Sequence, residues 1–215
     1  MIRMGDTLLI ATRNRGKTKE FREAFQEIGI AVKDLNEIEG IPEIEETGTT
    51  FEENATIKAK AVAELVGMPV LADDSGLCVD ALDGAPGVYS ARYAGEPASD
   101  DANNGKLLLE LERVEAPAVR LPEAGDGFAT LSGGRFACSL VLFDPSDGSK
   151  LATEGYVEGQ ILNRPRGNGG FGYDPLFWLP SLQRSMAELE PEEKNAISHR
   201  GQALKKLQSL LEGKS

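Results

Sequence analysis

The segment Thr12-Arg13-Asn14-Arg15-Gly16-Lys17 contains residue types that bind phosphate, with three cations in its last five positions. It lies between a short apolar stretch and a predicted helix, and a helix N-terminus presents N–H groups and a positive dipole end that suit an anion. We therefore predict that this segment binds phosphate groups, with a solvated basic turn as the alternative. Its end, Gly16-Lys17-Thr18, resembles the end of a P-loop, but that motif requires glycine where Ala11 stands.

Two carboxylates, Asp73 and Asp74, follow the apolar run Val70-Leu71-Ala72 and precede Ser75-Gly76. The pattern predicts a buried strand that ends in a turn, where one carboxylate faces a site and the other makes hydrogen bonds within the turn. Such a carboxylate suits Mg²⁺, which binds one or two carboxylates together with substrate phosphates. The acidic segment Glu43-Ile44-Glu45-Glu46-Thr47-Gly48 could supply a second metal ligand, although charge runs are usually solvated faces.

Two later segments have residue types that suit a nucleotide. Glycines in Gly169-Gly170-Phe171-Gly172-Tyr173-Asp174-Pro175 permit close approach of the backbone to a ligand, and its two aromatic rings could stack on a base. Lys194 precedes Ser198-His199-Arg200, where the single histidine of the chain stands at a predicted helix start, within reach of a base or phosphate. The alternatives are a tight loop with core aromatics and a histidine that only makes structural hydrogen bonds.

The elements that must position these residues mix strands and helices. Thr50-Phe51-Glu52-Glu53 matches a capping box ahead of an amphipathic helix, and a final helix starts near Ser198. Residues 135–143 and 150–162 are predicted hairpin strands, and residues 115–134, rich in Ala, Gly and Pro, are a predicted long surface loop. This order favours an α/β chain with a mixed sheet.

The composition excludes several functions. With 35 Asp and Glu against 23 Lys and Arg in 215 residues, the net charge is −12, which disfavours nucleic acid and anionic membranes as partners. The hydrophobic fraction of 40% is enough for a core. The sequence has neither a signal-peptide pattern nor a membrane-spanning apolar run, and its two cysteines stand in apolar contexts, so we expect a cytoplasmic protein without a disulfide.

Six segments, in this order along the chain, resemble one known family. They are Thr12-x-Asn14-x-x-Lys17, Glu45-Glu46-Thr47-Gly48-x-x-Phe51-x-x-Asn54-Ala55, Ala72-Asp73-Asp74-Ser75-Gly76-Leu77, Gly84-Ala85-Pro86-Gly87-Val88-Tyr89-Ser90-Ala91-Arg92-Tyr93, Gly169-Gly170-Phe171-Gly172-Tyr173-Asp174-Pro175 and Ser198-His199-Arg200-Gly201. The chain is similar, from about residue 8 to 211, to the inosine triphosphate pyrophosphatase family, the Ham1-like noncanonical purine nucleoside triphosphate pyrophosphatases.

This resemblance implies an architecture and an activity. It implies one domain over residues 1–215, with an elongated mixed β-sheet flanked by helices, two lobes and a central cleft, and a homodimer. It also implies Mg²⁺-dependent hydrolysis of a purine nucleoside triphosphate, namely ITP, dITP or XTP, to the monophosphate and pyrophosphate, which cleanses the nucleotide pool. The loop at 115–134 is longer than the connection usual in the family.

The resemblance also implies residue roles. It assigns residues 12–17 to the triphosphate, while Arg13 and Arg15 fill variable positions. We expect the Lys17 ammonium to stabilise the charge that develops on the leaving pyrophosphate. The resemblance assigns Glu45 and Asp74 to Mg²⁺, with Asp74 also the proton acceptor, and Ser75 to the substrate. The residues that hold the nucleotide, the later ones near the base, are Phe171, Gly172, Tyr173, Asp174, Lys194, His199 and Arg200.

Two other functions stay open from the residues alone. Gly16-Lys17-Thr18 and the apolar run into Asp73-Asp74 suit a P-loop-like NTPase or kinase, which would release or transfer orthophosphate. A nonenzymatic nucleotide-binding protein of the related Maf-like fold would have a similar N-terminal loop and cleft. The Ser198-His199-Arg200 segment favours the pyrophosphatase over this second alternative.

Overall fold

A computed structural model of the chain describes residues 6–26, 28–97 and 99–212. The helices are α1 (Arg15–Gln26), α2 (Phe51–Val66), α3 (Asp100–Arg113), α4 (Pro191–Ile197) and α5 (His199–Glu212). The strands are β1 (Thr7–Ile10), β2 (Ala31–Asp34), β3 (Val70–Val79), β4 (Val119–Arg120), β5 (Ala129–Asp144), β6 (Ser149–Leu162), β7 (Phe177–Leu179) and β8 (Arg184–Ser185). The chain divides into two compact units, and β3, β5 and β6 each contribute residues to both.

The first unit comprises Met1–Asp74, Cys138–Gly155 and Ser198–Ser215. Its strand β1 lies between β2 and β3 and is parallel to both. Leu8 and Ile10 pack in one cluster with side chains of α1 and α5, whereas Leu9 and Ala11 pack in another with side chains of α2. Successive side chains of a strand point to opposite faces, so β1 is apolar from Leu8 to Ile10 because helices cover both of its faces.

Helix α2 begins and ends as its sequence predicts. The Thr50 side chain accepts a hydrogen bond from the backbone N–H of Glu53, and the Glu53 carboxylate accepts one from Thr50, which completes the predicted capping box. Gly67 ends the helix with φ at 68°, a left-handed conformation that glycine adopts without a Cβ clash. Both ends of this helix are therefore determined locally.

The second unit comprises Ser75–Ala137 and Tyr156–Ile197. In this unit β4 pairs with β5, β6 pairs with β7, and β7 pairs with β8, and all three pairs are antiparallel. Leu107 and Leu111 of α3 are fully buried in a cluster with Phe136 of β5 and Phe177 of β7. Parallel pairs in the first unit and antiparallel pairs in the second confirm the predicted mixed α/β class.

Two predicted breaks in the strands are wrong. Strand β3 continues through Asp73-Asp74-Ser75-Gly76 without a turn, and β5 begins at Ala129, inside the predicted loop at 115–134. A Cβ at Gly76 would lie 2.4 Å from the Gly87 oxygen, and one at Gly134 would lie 2.9 Å from the Cys78 oxygen. These glycines permit close packing of extended backbone, which the sequence pattern alone does not separate from a turn.

No helix within the described residues is long and apolar enough to cross a lipid bilayer.

Candidate active site

The predicted phosphate-binding segment forms the turn from β1 into α1. The Asn14 side chain accepts a hydrogen bond from the backbone N–H of Lys17 at 3.0 Å, and the Thr12 hydroxyl accepts one from the N–H of Asn14 at 3.1 Å. These hydrogen bonds cap the first turn of α1. Arg15 is exposed beside them, and Gly16 is half-buried. The segment therefore presents a helix N-terminus, as predicted.

A buried carboxylate at the end of β2 anchors this turn. Asp34 accepts hydrogen bonds from the Thr18 hydroxyl at 2.6 Å and from the backbone N–H of Asn36 at 2.8 Å. Burial raises the pKa of Asp34, but the hydrogen bonds from these two residues outweigh burial and hold it below the ordinary value. The Arg13 guanidinium donates to two backbone carbonyls after β2, so it holds the turn in place.

Asp73 lies at the centre of a buried ion cluster in the first unit. Its Oδ1 accepts from the Lys17 ammonium, and its Oδ2 accepts from Arg200 Nε at 2.9 Å and from the Cys138 thiol at 3.1 Å. Burial raises the pKa of Asp73, but Arg200 and then Lys17 hold it well below the ordinary value. We predicted that one carboxylate of the pair makes hydrogen bonds within a turn. This is wrong, because β3 has no turn here and Asp73 bonds to side chains from other elements.

The structure places the Arg200 side chain in the interior of the first unit. Only 2% of this side chain is exposed, and its guanidinium donates to the carboxylates of Asp73 and Glu20. Burial lowers the pKa of Arg200, but these two carboxylates raise it above the ordinary value. The guanidinium that we expected near the base is thus a counter-ion for two carboxylates.

Asp74 faces a different cation, Lys58 of α2. The Lys58 ammonium lies 3.6 Å from Asp74 Oδ1 and 3.1 Å from Glu46 Oε1, and it donates to the Asp73 carbonyl at 2.8 Å. The side chains of Asp73 and Asp74 therefore have different partners, as expected for neighbours on a strand. Sequence reasoning missed Lys58, although its position three residues after Ala55 puts it on the buried face of α2.

The charges around Asp74 act on its ionisation in opposite directions. Burial raises the pKa of its carboxyl, Lys58 and Lys17 lower it, and Glu46 raises it again, so the pKa lies above the ordinary value. Burial lowers the pKa of Lys58, but Asp74 and Glu46 raise it above the ordinary value. A buried carboxyl whose pKa is raised in this way is suited to accept a proton.

The carboxylates around Lys58 are the donor set available to a metal ion in the first unit. Glu46, rather than Glu45, contacts Lys58, and Glu45 is exposed. Among the residues that the structure describes, no group of three or more His, Cys, Asp or Glu side chains is arranged to hold a metal. Mg²⁺ needs only one or two carboxylates when substrate phosphates complete its coordination, so the residues fit this ion together with a substrate.

The second unit brings together Phe171, Asp174 and Lys194. The Lys194 ammonium donates to Asp174 Oδ2 at 2.7 Å and lies 4.3 Å from the centre of the Phe171 ring. Asp174 Oδ2 also accepts from the backbone N–H of Phe171 at 2.9 Å, and a Cβ at Gly170 would lie 2.1 Å from the same oxygen. This buried lysine beside a half-buried ring is an arrangement that suits a polar, planar ligand.

The neighbouring residues Gly172 and Tyr173 have structural contacts. Gly172 donates to Asp100 Oδ2 at 2.6 Å and accepts from the Asn104 side chain at 3.0 Å. The Tyr173 ring is 4% exposed within the hydrophobic core, and its hydroxyl donates to the Ser90 carbonyl at 2.9 Å. Burial raises the pKa of this phenol. The Tyr173 ring is therefore a core residue, whereas Phe171 is the more accessible ring.

The last predicted site residues lie in separate units. Ser75 is half-buried in the part of β3 that belongs to the second unit. His199 is 6% exposed at the start of α5 in the first unit, where the Ser198 hydroxyl accepts from the Gly201 N–H at 3.0 Å. In the first unit, Lys17 pairs with Asp73, which precedes Asp74 on β3. In the second unit, the Lys194 ammonium lies over the Phe171 ring.

Comparisons with known proteins point to one family. A model of the Ham1 family matches residues 8–210. A dITP/XTP pyrophosphatase from Exiguobacterium sibiricum is 52% identical over 204 residues, covering 95% of this chain and 96% of that protein. One from Streptococcus mutans is 49% identical over 207 residues, covering 96% of this chain, so the chain spans 60% of the length of that relative. A HAM1 protein from Coxiella burnetii has a TM-score of 0.82 at 43% identity, covering 96% of this chain and 98% of that one. Because the similarity extends over nearly the whole chain in both sequence and fold, this protein belongs to the Ham1 family.

Proposed function

We propose that this protein is a Mg²⁺-dependent nucleoside triphosphate pyrophosphohydrolase that converts ITP, dITP and XTP to the monophosphate and pyrophosphate. The observation that carries the proposal is the buried Asp74 carboxyl beside the Lys58 ammonium, in the same unit as Lys17. The relatives in Exiguobacterium and Streptococcus that are about half identical to this chain are named dITP/XTP pyrophosphatases, which supports the same chemistry here.

In the proposed reaction, water attacks the α-phosphorus and pyrophosphate leaves. Asp74 accepts the proton of the water, and Lys58 opposes the effect of burial on the pKa of this carboxyl. The leaving group gains negative charge, which the Lys17 ammonium stabilises more in the transition state than in the ground state. When bound, Mg²⁺ would be held by Asp74 with Glu45 or Glu46 and would neutralise charge on the phosphate oxygens.

Two residues of the second unit are proposed to contact the nucleoside. Phe171 supplies the ring for stacking, and Lys194 supplies a donor whose position Asp174 determines. Gly172 and Tyr173 shape this loop, and a polar donor toward the 6-oxo group distinguishes hypoxanthine and xanthine from adenine. Ser75 and His199 are proposed to contact the substrate as the family resemblance implies.

The assembly and location are also proposals. We propose a homodimer that acts in the cytoplasm, as the resemblance to the family implies. A P-loop-like NTPase or kinase is the second candidate, which Gly16-Lys17-Thr18 favours and Ala11 disfavours. The two candidates differ in the product that leaves the triphosphate.

The decisive experiment measures pyrophosphate and orthophosphate release from a panel of nucleoside triphosphates with saturating Mg²⁺. We expect pyrophosphate from ITP, dITP and XTP, much less from GTP and ATP, and loss of most activity in Asp74→Asn. Asp147→Asn in the exposed turn between β5 and β6 is the matched control, because it makes the same carboxylate-to-amide change outside the proposed site. Orthophosphate as the first product, or equal turnover of GTP and ITP, would contradict the proposal.

A further inference from the structure

Four charged side chains of the first unit form a chain of ion pairs. Glu20 pairs with Arg200, Arg200 pairs with Asp73, and Asp73 pairs with Lys17. Arg200 is 180 residues from Glu20 and 127 residues from Asp73, so the C-terminal helix α5 supplies the central cation. The chain alternates in sign and contains two carboxylates and two cations, so its charges balance within the interior.

The hydrogen bonds to Asp73 Oδ2 determine where the other oxygen, Oδ1, points. Oδ2 receives both Arg200 Nε and the Cys138 thiol, which prevents rotation of the carboxylate. Oδ1 is thereby directed at the Lys17 ammonium. A lysine side chain has many rotamers, and a fixed carboxylate restricts this freedom before any ligand binds. The orientation of Lys17 therefore depends on Arg200 through Asp73.

Lys17 is the member of this chain that an anion can reach. Its side chain is 17% exposed, against 0% for Asp73 and 2% for Arg200. It also lies in the predicted phosphate-binding turn, whereas the Arg200 guanidinium is held between two buried carboxylates. An ammonium has three N–H donors, so Lys17 can bond Asp73 Oδ1 and still donate to a phosphate group.

We propose that Arg200 is a positioning residue for Lys17: acting through Asp73, it holds the Lys17 ammonium where the leaving pyrophosphate develops charge. This inference rests on the proposed function, because it assigns Arg200 to the triphosphate end of the same reaction. It also replaces the expected contact between the Arg200 side chain and the base. A preorganised cation contributes to the transition state without a cost of reorganisation, which makes its orientation matter for turnover.

The test is a double-mutant cycle with Arg200→Lys and Lys17→Gln, assayed with dITP and Mg²⁺. Arg200→Lys retains the charge but lacks the planar fork that spans both carboxylates. We expect kcat/KM to fall by roughly 10- to 100-fold in the presence of Lys17, mostly through kcat, and by less than about twofold in the Lys17→Gln background. Equal losses in both backgrounds would overturn the proposal, because Arg200 would then act independently of Lys17.

A second pair of variants keeps the test informative if Arg200→Lys does not fold. Cys138→Ala removes a donor to Asp73 Oδ2, and Cys138→Ser restores one of similar size. We expect Cys138→Ala to lose severalfold in kcat/KM only when Lys17 is present, and Cys138→Ser to recover most of the loss. Wild-type kinetics in Cys138→Ala would show that Asp73 needs no fixed orientation and would overturn the proposal.

Two further measurements separate this inference from its premises. Thr153→Val is the control for loosened packing of α5, because Thr153 donates to the Ala203 carbonyl at 2.9 Å, and we expect lower stability with unchanged kcat/KM. Calorimetric titration with pyrophosphate tests the same cycle without turnover, and we expect Arg200→Lys to weaken binding only when Lys17 is present. If the wild-type protein released no pyrophosphate from dITP, the proposed function would fail, while the pyrophosphate titration would still decide the role of Arg200.

Discussion

Replacement of Lys58 by methionine tests the electrostatics of the candidate base most directly. Methionine retains an unbranched apolar side chain of similar length, so the buried face of α2 keeps its packing. The substitution removes the ammonium that lies between the carboxylates of Asp74 and Glu46. Asp74 then stays buried beside an acidic neighbour with its nearest cation gone, which favours its protonated form.

The distances determine how large this effect is. A unit charge 3.6 Å from a carboxylate contributes roughly 5 kcal/mol at an effective dielectric constant of about 20. Lys58 and Asp74 have side chains only 13% and 8% exposed, so solvent screens the pair weakly. Lys17 and water that enters the vacated space offset part of the loss. We expect kcat/KM at pH 6 to fall by roughly 100-fold.

The assay is a pH profile of pyrophosphate release with saturating Mg²⁺. Loss of Lys58 removes the main effect that lowers the pKa of Asp74, while burial and Glu46 still raise it. The acid limb of kcat/KM should therefore move to higher pH in Lys58→Met. The deficit should therefore shrink by at least about tenfold between pH 6 and pH 8.5. Lys58→Arg, which retains a cation, is the matched control and should keep an acid limb close to that of the wild type.

Two outcomes would refute this reasoning. A deficit of the same size at every pH would mean that Lys58 acts on the substrate itself, without tuning Asp74. Wild-type activity in Lys58→Met would mean that the ionisation of Asp74 does not limit the reaction.

Three further predictions concern stability, each measured as a urea midpoint. Thr50→Ala removes the cap of α2 and should cost about 1 kcal/mol, so an unchanged midpoint would show that the cap contributes nothing. Gly155→Ala should cost roughly 3 kcal/mol, because its Cβ would lie 2.0 Å from the His199 carbonyl oxygen. Its control, Gly105→Ala in α3, meets open space and should instead gain about 0.5–1 kcal/mol. Burial raises the pKa of Asp73, but its cationic partners hold it well below the ordinary value of 3.8. The ionised Asp73 carboxylate therefore stabilises the folded state above pH 3.8, and this contribution is lost as the pH falls below that value. Asp73→Asn should flatten this acid dependence, and an acid midpoint curve identical to that of the wild type would contradict the assignment.

Local sequence determined the features that depend on neighbours along the chain. The capping box at Thr50–Glu53 forms because both partners belong to the same helical turn, and Asn14 caps α1 for the same reason. The order of the six motifs indicates the family, because each motif is a local pattern of residue types. The helix N-terminus at residues 12–17 could therefore be located from sequence alone.

Only the tertiary structure decided which charged groups meet. Nothing local distinguishes Asp73 from Asp74, yet one pairs with Arg200, 127 residues away, and the other faces Lys58. Gly76 matches the sequence pattern of a turn, whereas its role in the fold is close approach of the backbone to Gly87, a residue outside its own segment. Residue type and spacing predicted that carboxylates and cations form the site. Which of them pair depends on the elements that pack around each charge, so only the fold determined the ion pairs.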